Sequence, residues 1–324
     1  MATNVQIRDL QLTAEDHNRH SETEKNNVRV GFQQVPQVGT VEIVENPSTG
    51  EQKYLIANTF NSTNEFEDQL KFGRRRILAI SPYLNRYFDF TSSNDRKVPP
   101  FKPWVRHFSE IPKKLLSQLI DAKDEAVRSS VFLTQLLYQI VDAGAALQDV
   151  GLAHGNISGS FIAFREPSNF KLIDNFRSLG SLQQASEEIL NKTFVYTSPE
   201  LFQKVMSKER IDRLNVGKHD VFCFGLLLLH LATGCKASDI FNSDGTINIS
   251  NFYQSIGLFE RTYRDMDNRL LAYTVTEKML QFDTSSRSDF KSIKKSLPPL
   301  AEVNRFLQNE YHLSQDMSCH DCRL

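Results

Sequence analysis

The chain has 324 residues, a formal net charge of −1 and 24% charged residues, which is enough length for one large two-lobed domain or two small ones with proper cores. The near-neutral balance leaves no electrostatic footprint for nucleic acid or an anionic membrane surface. Four cysteines, Cys223, Cys235, Cys319 and Cys322, are too few for a disulfide scaffold at this length.

Residues 1–27 are polar and mixed in charge, without apolar periodicity, and read as a flexible arm. From Val28 the pattern turns to short β-type segments, "VRVGF", "GTVEIVE", "KYLIANTF" and "YLNRYFDF", with the turn "NPSTGEQ" between the second and third. The stretch "NEFEDQLKFGRRRILAI" spaces Phe66, Leu70, Ile77 and Leu78 as one helix would, and its Arg74, Arg75 and Arg76 read as a solvated face. "VPPFKPWVRHF" has room for one more strand and a crossover.

Beyond it the chain becomes helical. "SSVFLTQLLYQIVDAGAALQDVG" puts Phe132, Leu136, Leu137, Ile140, Val141 and Leu147 on one wide stripe and predicts a buried helix of about five turns. Two β-like pieces, "FIAF" and "FKLID", follow, and "DVFCFGLLLLHLATG" is apolar nearly all round, as a central helix would be. Its longest apolar run is far below the ~20 residues that cross a bilayer. The opening residues carry no apolar h-region, so a soluble, cytoplasmic chain is expected, including one within a cytoskeletal or other large assembly. Cys223 and Cys235 flank that helix as small core residues, while "CHDC" at 319–322 lacks the second ligand pair a zinc site normally has. No residues form a confident metal site.

The order of these parts, a β-rich segment with one helix and then a larger helical segment, is that of a protein kinase, and the motifs resemble that family over about residues 28–297. "DVFCFG", with Asp220 and Gly225, resembles the D-x-W-S-x-G that opens a buried helix. "YTSPELF" resembles the A-P-E segment through Ser198, Pro199 and Glu200, and "DTSSRSDF" resembles D-P-x-x-R-P through Asp283 and Arg287. The resemblance implies an α+β, bilobal protein kinase-like fold: a small antiparallel β-lobe with one helix over 28–100 and a larger, mainly α-helical lobe over 101–300, flanked by the arm 1–27 and a tail 301–324. It also implies a buried Glu200–Arg287 ion pair, with His154, Asp220 and Gly225 as further structural positions.

Under the same resemblance "HGNISGSF" stands where active kinases have H-R-D-L-x-x-x-N. His154 is kept, Gly155 replaces the Arg, Asn156 the catalytic Asp and Phe161 the metal-binding Asn. Asp174 of "KLIDNF" follows Asn156 by eighteen residues, in the register of the D-F-G Asp, with Asn175 and Phe176 after it. An amide has no basic carboxylate to take a hydroxyl proton, and a phenyl ring offers no oxygen to Mg²⁺. Gly155 removes the guanidinium that would pair with an activation-loop phosphate.

"QVPQVGTV" keeps Gly39 and Val41 of the Gly-rich loop, while Gln34 and Pro36 fill the first two glycine positions and restrict the backbone. Ala57 occupies the position of the phosphate-binding Lys, and its Glu partner would fall at Phe72 or Arg74.

The implied function is that of a pseudokinase, without catalytic residues or cofactor, serving as a scaffold or structural subunit and docking other proteins through the arm 1–27 and the tail. Two alternatives stay open. One is a pseudokinase that binds ATP as a conformational ligand, with Asp174 as the sole metal anchor and Gly39 and Val41 at the nucleotide. The other is a weakly active, atypical kinase or an enzyme of altered chemistry that reassigns residues such as His154 or Lys171.

Overall fold

The computed structural model describes residues 27–35, 39–93, 102–165, 168–174, 182–191, 196–211, 214–242, 246–263, 269–300 and 302–303. The expected arm (all but Asn27), the tail apart from residues 302–303, Pro36, Asn175, Phe176, Cys319 and Cys322 lie outside the described residues. The fold is mixed α+β, in two compact units, one within residues 1–77 and 86–111, the other within 78–85 and 112–324.

The first unit is built on strands β1 (Val28–Val35), β2 (Gly39–Glu45), β3 (Gln52–Thr59), β4 (Tyr87–Ser93) and β5 (Trp104–Ser109). They form one antiparallel sheet in the order β1-β2-β3-β5-β4. The boundary expected at 100/101 therefore moves to 111/112, because β5 pairs with both β3 and β4 and belongs to this sheet. The strand expected over 83–90 begins only at Tyr87, since Leu84 bridges to Leu172 in the second unit and Asn85 N–H donates to the Leu172 carbonyl at 2.8 Å.

Helix α1 (Thr63–Leu78) packs on one face of this sheet. Its buried side is Phe66, Phe72 and Arg76, whereas Ile77 is only partly covered and Leu78 is exposed. The expected apolar stripe was thus set about one residue too far round the helix at its C-terminal end. Arg76 is not a solvated residue: it is 2% exposed, and its guanidinium lies 5.5 Å from the centroid of the Tyr87 ring, where a cation gains from the aromatic quadrupole. Phe72 meets His107 of β5 edge-on at 6.4 Å. The opposite face carries a separate small cluster of Val44, Leu55 and Phe108 with Phe88.

The second unit has a continuous hydrophobic core around α3 (Ser130–Asp149) and α6 (Val216–Thr233), after the short helix α2 (Leu116–Asp121). Both long helices start on side-chain caps. Ser129 Oγ accepts from Phe132 N–H at 3.2 Å, and Asn215 Oδ1 accepts from Lys218 N–H at 3.0 Å. The predicted stripe on α3 is fully buried, and so are Leu133, Ala143, Ala145 and Ala146 on its other sides. Each Leu or Phe so buried contributes about 1.5–3 kcal/mol over an exposed one.

By length and mean hydropathy (1.3 and 1.2) these two helices are able to cross a membrane, yet 78% and 72% of their apolar windows are buried inside the protein, as in core helices. The hairpin β6 (Ile162–Arg165) and β7 (Asn169–Leu172), helices α4 (Gln183–Leu190), α5 (Pro199–Met206), α7 (Ile249–Thr262), α8 (Arg269–Tyr273) and α9 (Phe290–Ser296), a π-helical turn at Thr274–Met279 and 3-10 turns at Glu125–Arg128, Gly159–Phe161 and Ala237–Asp239 complete the described elements.

Candidate functional site

The 154–161 loop lies between α3 and β6, and its conformation is held by the first turns of α6. Asp220, buried, accepts from His154 N–H through Oδ2 at 2.7 Å and from Gly155 N–H through Oδ1 at 2.9 Å. Burial pushes the Asp220 carboxyl up to about 7, against the two backbone donors, which favour its charged form. Gly155 sits at φ +85°, in the left-handed region where a side chain is strained, so glycine is required here by the backbone and not only tolerated.

His154 is an internal tie. Its Nε2–H donates to the Ile173 carbonyl at 2.7 Å, while Nδ1 accepts from Asn156 N–H at 3.2 Å, an arrangement that only the neutral Nε2–H tautomer satisfies. Phe161 packs edge-on against it at 5.3 Å and is 1% exposed. Ile173 N–H donates to the Phe161 carbonyl at 2.8 Å, which joins the end of β7 to the loop and places buried Asp174 next in the chain. Asn156, 2% exposed, donates from Nδ2 to Glu188 Oε1 of α4 at 3.1 Å.

The residues singled out in the C-terminal half come together around α6. Arg287, 1% exposed, grips Glu200 through both terminal nitrogens, at 2.7 Å to Oε1 and 3.0 Å to Oε2. Its remaining N–H groups donate to the carbonyls of Gln281 at 2.9 Å, Lys218 at 3.0 Å and Phe282 at 3.4 Å, and the guanidinium lies 4.7 Å from the centroid of the Phe222 ring. All five donors are therefore used. Burial opposes charge on Glu200, but the hydrogen bonds and attraction of Arg287 outweigh it and hold the carboxyl below its ordinary value. A Cβ on Gly225 would stand 2.9 Å from Leu280 Cδ2, so this glycine lets α6 approach the end of the π-helical turn closely.

In the first unit the sheet register places Val41 and Ala57 on different faces. Val41 is buried and shares its sheet face with Ile43 and, through the Ile43–Tyr54 pair, with Tyr54 and Ile56. Ala57 alternates to the opposite face, is exposed, and pairs across with Arg106. It therefore does not share a face with Val41, and the β3 positions nearest it that do, Tyr54, Ile56 and Asn58, offer no cation either. Gly39 pairs with Val35 at the end of the β1–β2 ladder. Of the positions named for the helix Glu, Phe72 is buried and Arg74 partly covered.

One cluster escaped the sequence reading. His219 Nδ1 lies 2.9 Å from Ser198 Oγ and its Nε2 lies 3.3 Å from Cys223 Sγ. The i, i+4 spacing of His219 and Cys223 on a helix was legible, but Ser198 reaches them only through the packing of α5. All three are buried, and burial lowers His219 to about 4 and raises the Cys223 thiol. A neutral imidazole beside a protonated, inaccessible thiol is core packing, not an activated nucleophile.

Among the described residues no group of three or more His, Cys, Asp or Glu is placed to hold a metal ion. No family model matches the chain, and no curated protein matches it.

Proposed function

We propose that this chain is a pseudokinase: a protein kinase-like protein without phosphoryl transfer that acts through its shape, as a scaffold or structural subunit in a larger protein assembly. The observation that carries the reading is Phe161. At the position where the resemblance calls for an oxygen ligand to Mg²⁺, a buried ring packs on His154, and it has nothing to give a hard cation. Asn156 at the base position supports it, since an amide takes no proton and its Nδ2 is engaged with Glu188. Phosphoryl transfer rests almost wholly on positioning and electrostatic stabilisation, and these two exchanges remove the base and one metal ligand together.

The frame that does persist, Asp220 on the loop backbone and Arg287 on Glu200, is architectural. The test is phosphoryl transfer from radiolabelled ATP with Mg²⁺ to general protein substrates. No turnover above background is expected; turnover that vanishes in Asp174→Ala overturns the proposal. The scaffold half is read by crosslinking mass spectrometry of the native protein, where stable protein partners are expected.

A further inference from the structure

We propose that helix α4 (Gln183–Leu190) is a built-in closure over the 154–161 loop, and that Asn156 is the fixed amide of the latch that holds it, through Glu188. The inference rests on hydrogen bonding and burial within the second unit and does not depend on the pseudokinase reading.

Asn156 is almost wholly buried, and its Nδ2 donates to Glu188 Oε1 at 3.1 Å. A buried amide donor left without an acceptor carries its full desolvation penalty, and a carboxylate is the stronger kind of acceptor. The helix itself has eight residues, below the ~12 that sustain an isolated helix in water. Its place is set by what it touches: Ala185 and Ile189 on one side, with Leu182 just before it, are buried in the second unit's core, and Glu188 beside them reaches Asn156.

The bond has a direction, because the loop donates and the helix accepts. A carboxylate at 156 would bring two acceptors within hydrogen-bond distance, so that one must take up a proton or the two must separate. An amide at 156, and not a carboxylate, is therefore what lets the closed position be stable. Opening it requires breaking the Asn156–Glu188 bond and lifting a short helix off the core, an event of local unfolding below the global one.

Hydrogen exchange on the full chain tests this. Glu188→Ala, at a half-buried position, is expected to speed exchange of the 183–190 amides on the order of tenfold, while the amides of Ser130–Asp149 and Val216–Thr233 keep wild-type protection. Asn156→Asp is expected to open the same segment. Adding Glu188→Gln to Asn156→Asp reverses donor and acceptor across the same gap and is expected to restore most of the protection. Unchanged protection of 183–190 in Glu188→Ala, or an Asn156→Asp defect that Glu188→Gln does not relieve, overturns the latch. These readouts are independent of phosphoryl transfer, so kinase activity in the protein would remove the proposed function and leave the latch standing.

Discussion

Replacing Glu200 by Ala removes the one charged hydrogen-bond partner that the buried Arg287 has among the described residues. Of the five guanidinium N–H groups, two lose their acceptor, and the carbonyls of Gln281, Lys218 and Phe282 and the Phe222 ring are left to hold a whole positive charge out of water. Breaking a buried pair by removing one partner costs about 3–5 kcal/mol, and for a unit of this size each kcal/mol lowers the melting temperature by about 2–4 °C. The expected shift in Glu200→Ala is thus roughly 6–20 °C, followed by far-UV circular dichroism.

The Lys204–Glu209 pair is the internal control. It has a similar separation, 3.0 Å, but its side chains are 32% and 56% exposed, and an exposed pair is worth about 0–1 kcal/mol. Lys204→Ala should therefore leave the melting temperature within about 4 °C of wild type. If both variants shift alike, burial is not what gives the Glu200–Arg287 pair its weight, and the reasoning fails. Because Glu200 titrates below its ordinary 4.5, its share of stability is complete above that value and is lost as pH falls through the lower folded value.

Two buried histidines predict an acid limb. Burial lowers His107 to about 3 and His219 to about 4 from an ordinary 6.5, so the folded chain binds fewer protons than the unfolded one. Each then takes away about 1.4 kcal/mol per pH unit as pH falls below about 6.5, and the raised Asp220 carboxyl returns about as much as one of them, so a net loss is expected; urea titrations that give the same stability at pH 7 and pH 5 would contradict this. Gly155→Ala places a Cβ at φ +85° and is expected to cost about 1–2 kcal/mol, with the loop amides of 154–161 exchanging faster; no change in stability would mean that the backbone relaxes freely. Gly144→Ala drives a methyl into the Phe290 ring and is expected to cost about 1–3 kcal/mol, read as a lower urea midpoint.

Much of the architecture is legible without coordinates because it depends on short-range patterns. The alternation in "GTVEIVE" and the unbroken apolar run in "DVFCFGLLLLHLATG" each specify one element, and Ser129 and Asn215 mark where long helices begin. The candidate site was legible where spacing along the chain is short or the motif is well separated, as for the loop from His154 to Phe161. Spacing along the chain does not say which face a strand position takes: Ala57 lies on the face opposite Val41, and a one-residue slip in a strand moves a side chain to the other side of the sheet. In α1 a similar slip hid the burial of Arg76, which lies against the Tyr87 ring from a strand nine residues beyond the helix.

The sequence by itself determined which chemistry the loop cannot supply, since no fold turns Asn156 into a base or gives Phe161 an oxygen. Only the tertiary structure decided what those residues do instead: Phe161 closes on His154, Glu188 meets Asn156, and Asp220 reaches both backbone amides across sixty-five residues or more of chain. Residue type sets the donors and acceptors a position has, but which of them meet depends on packing between segments distant in sequence, and no local pattern encodes that.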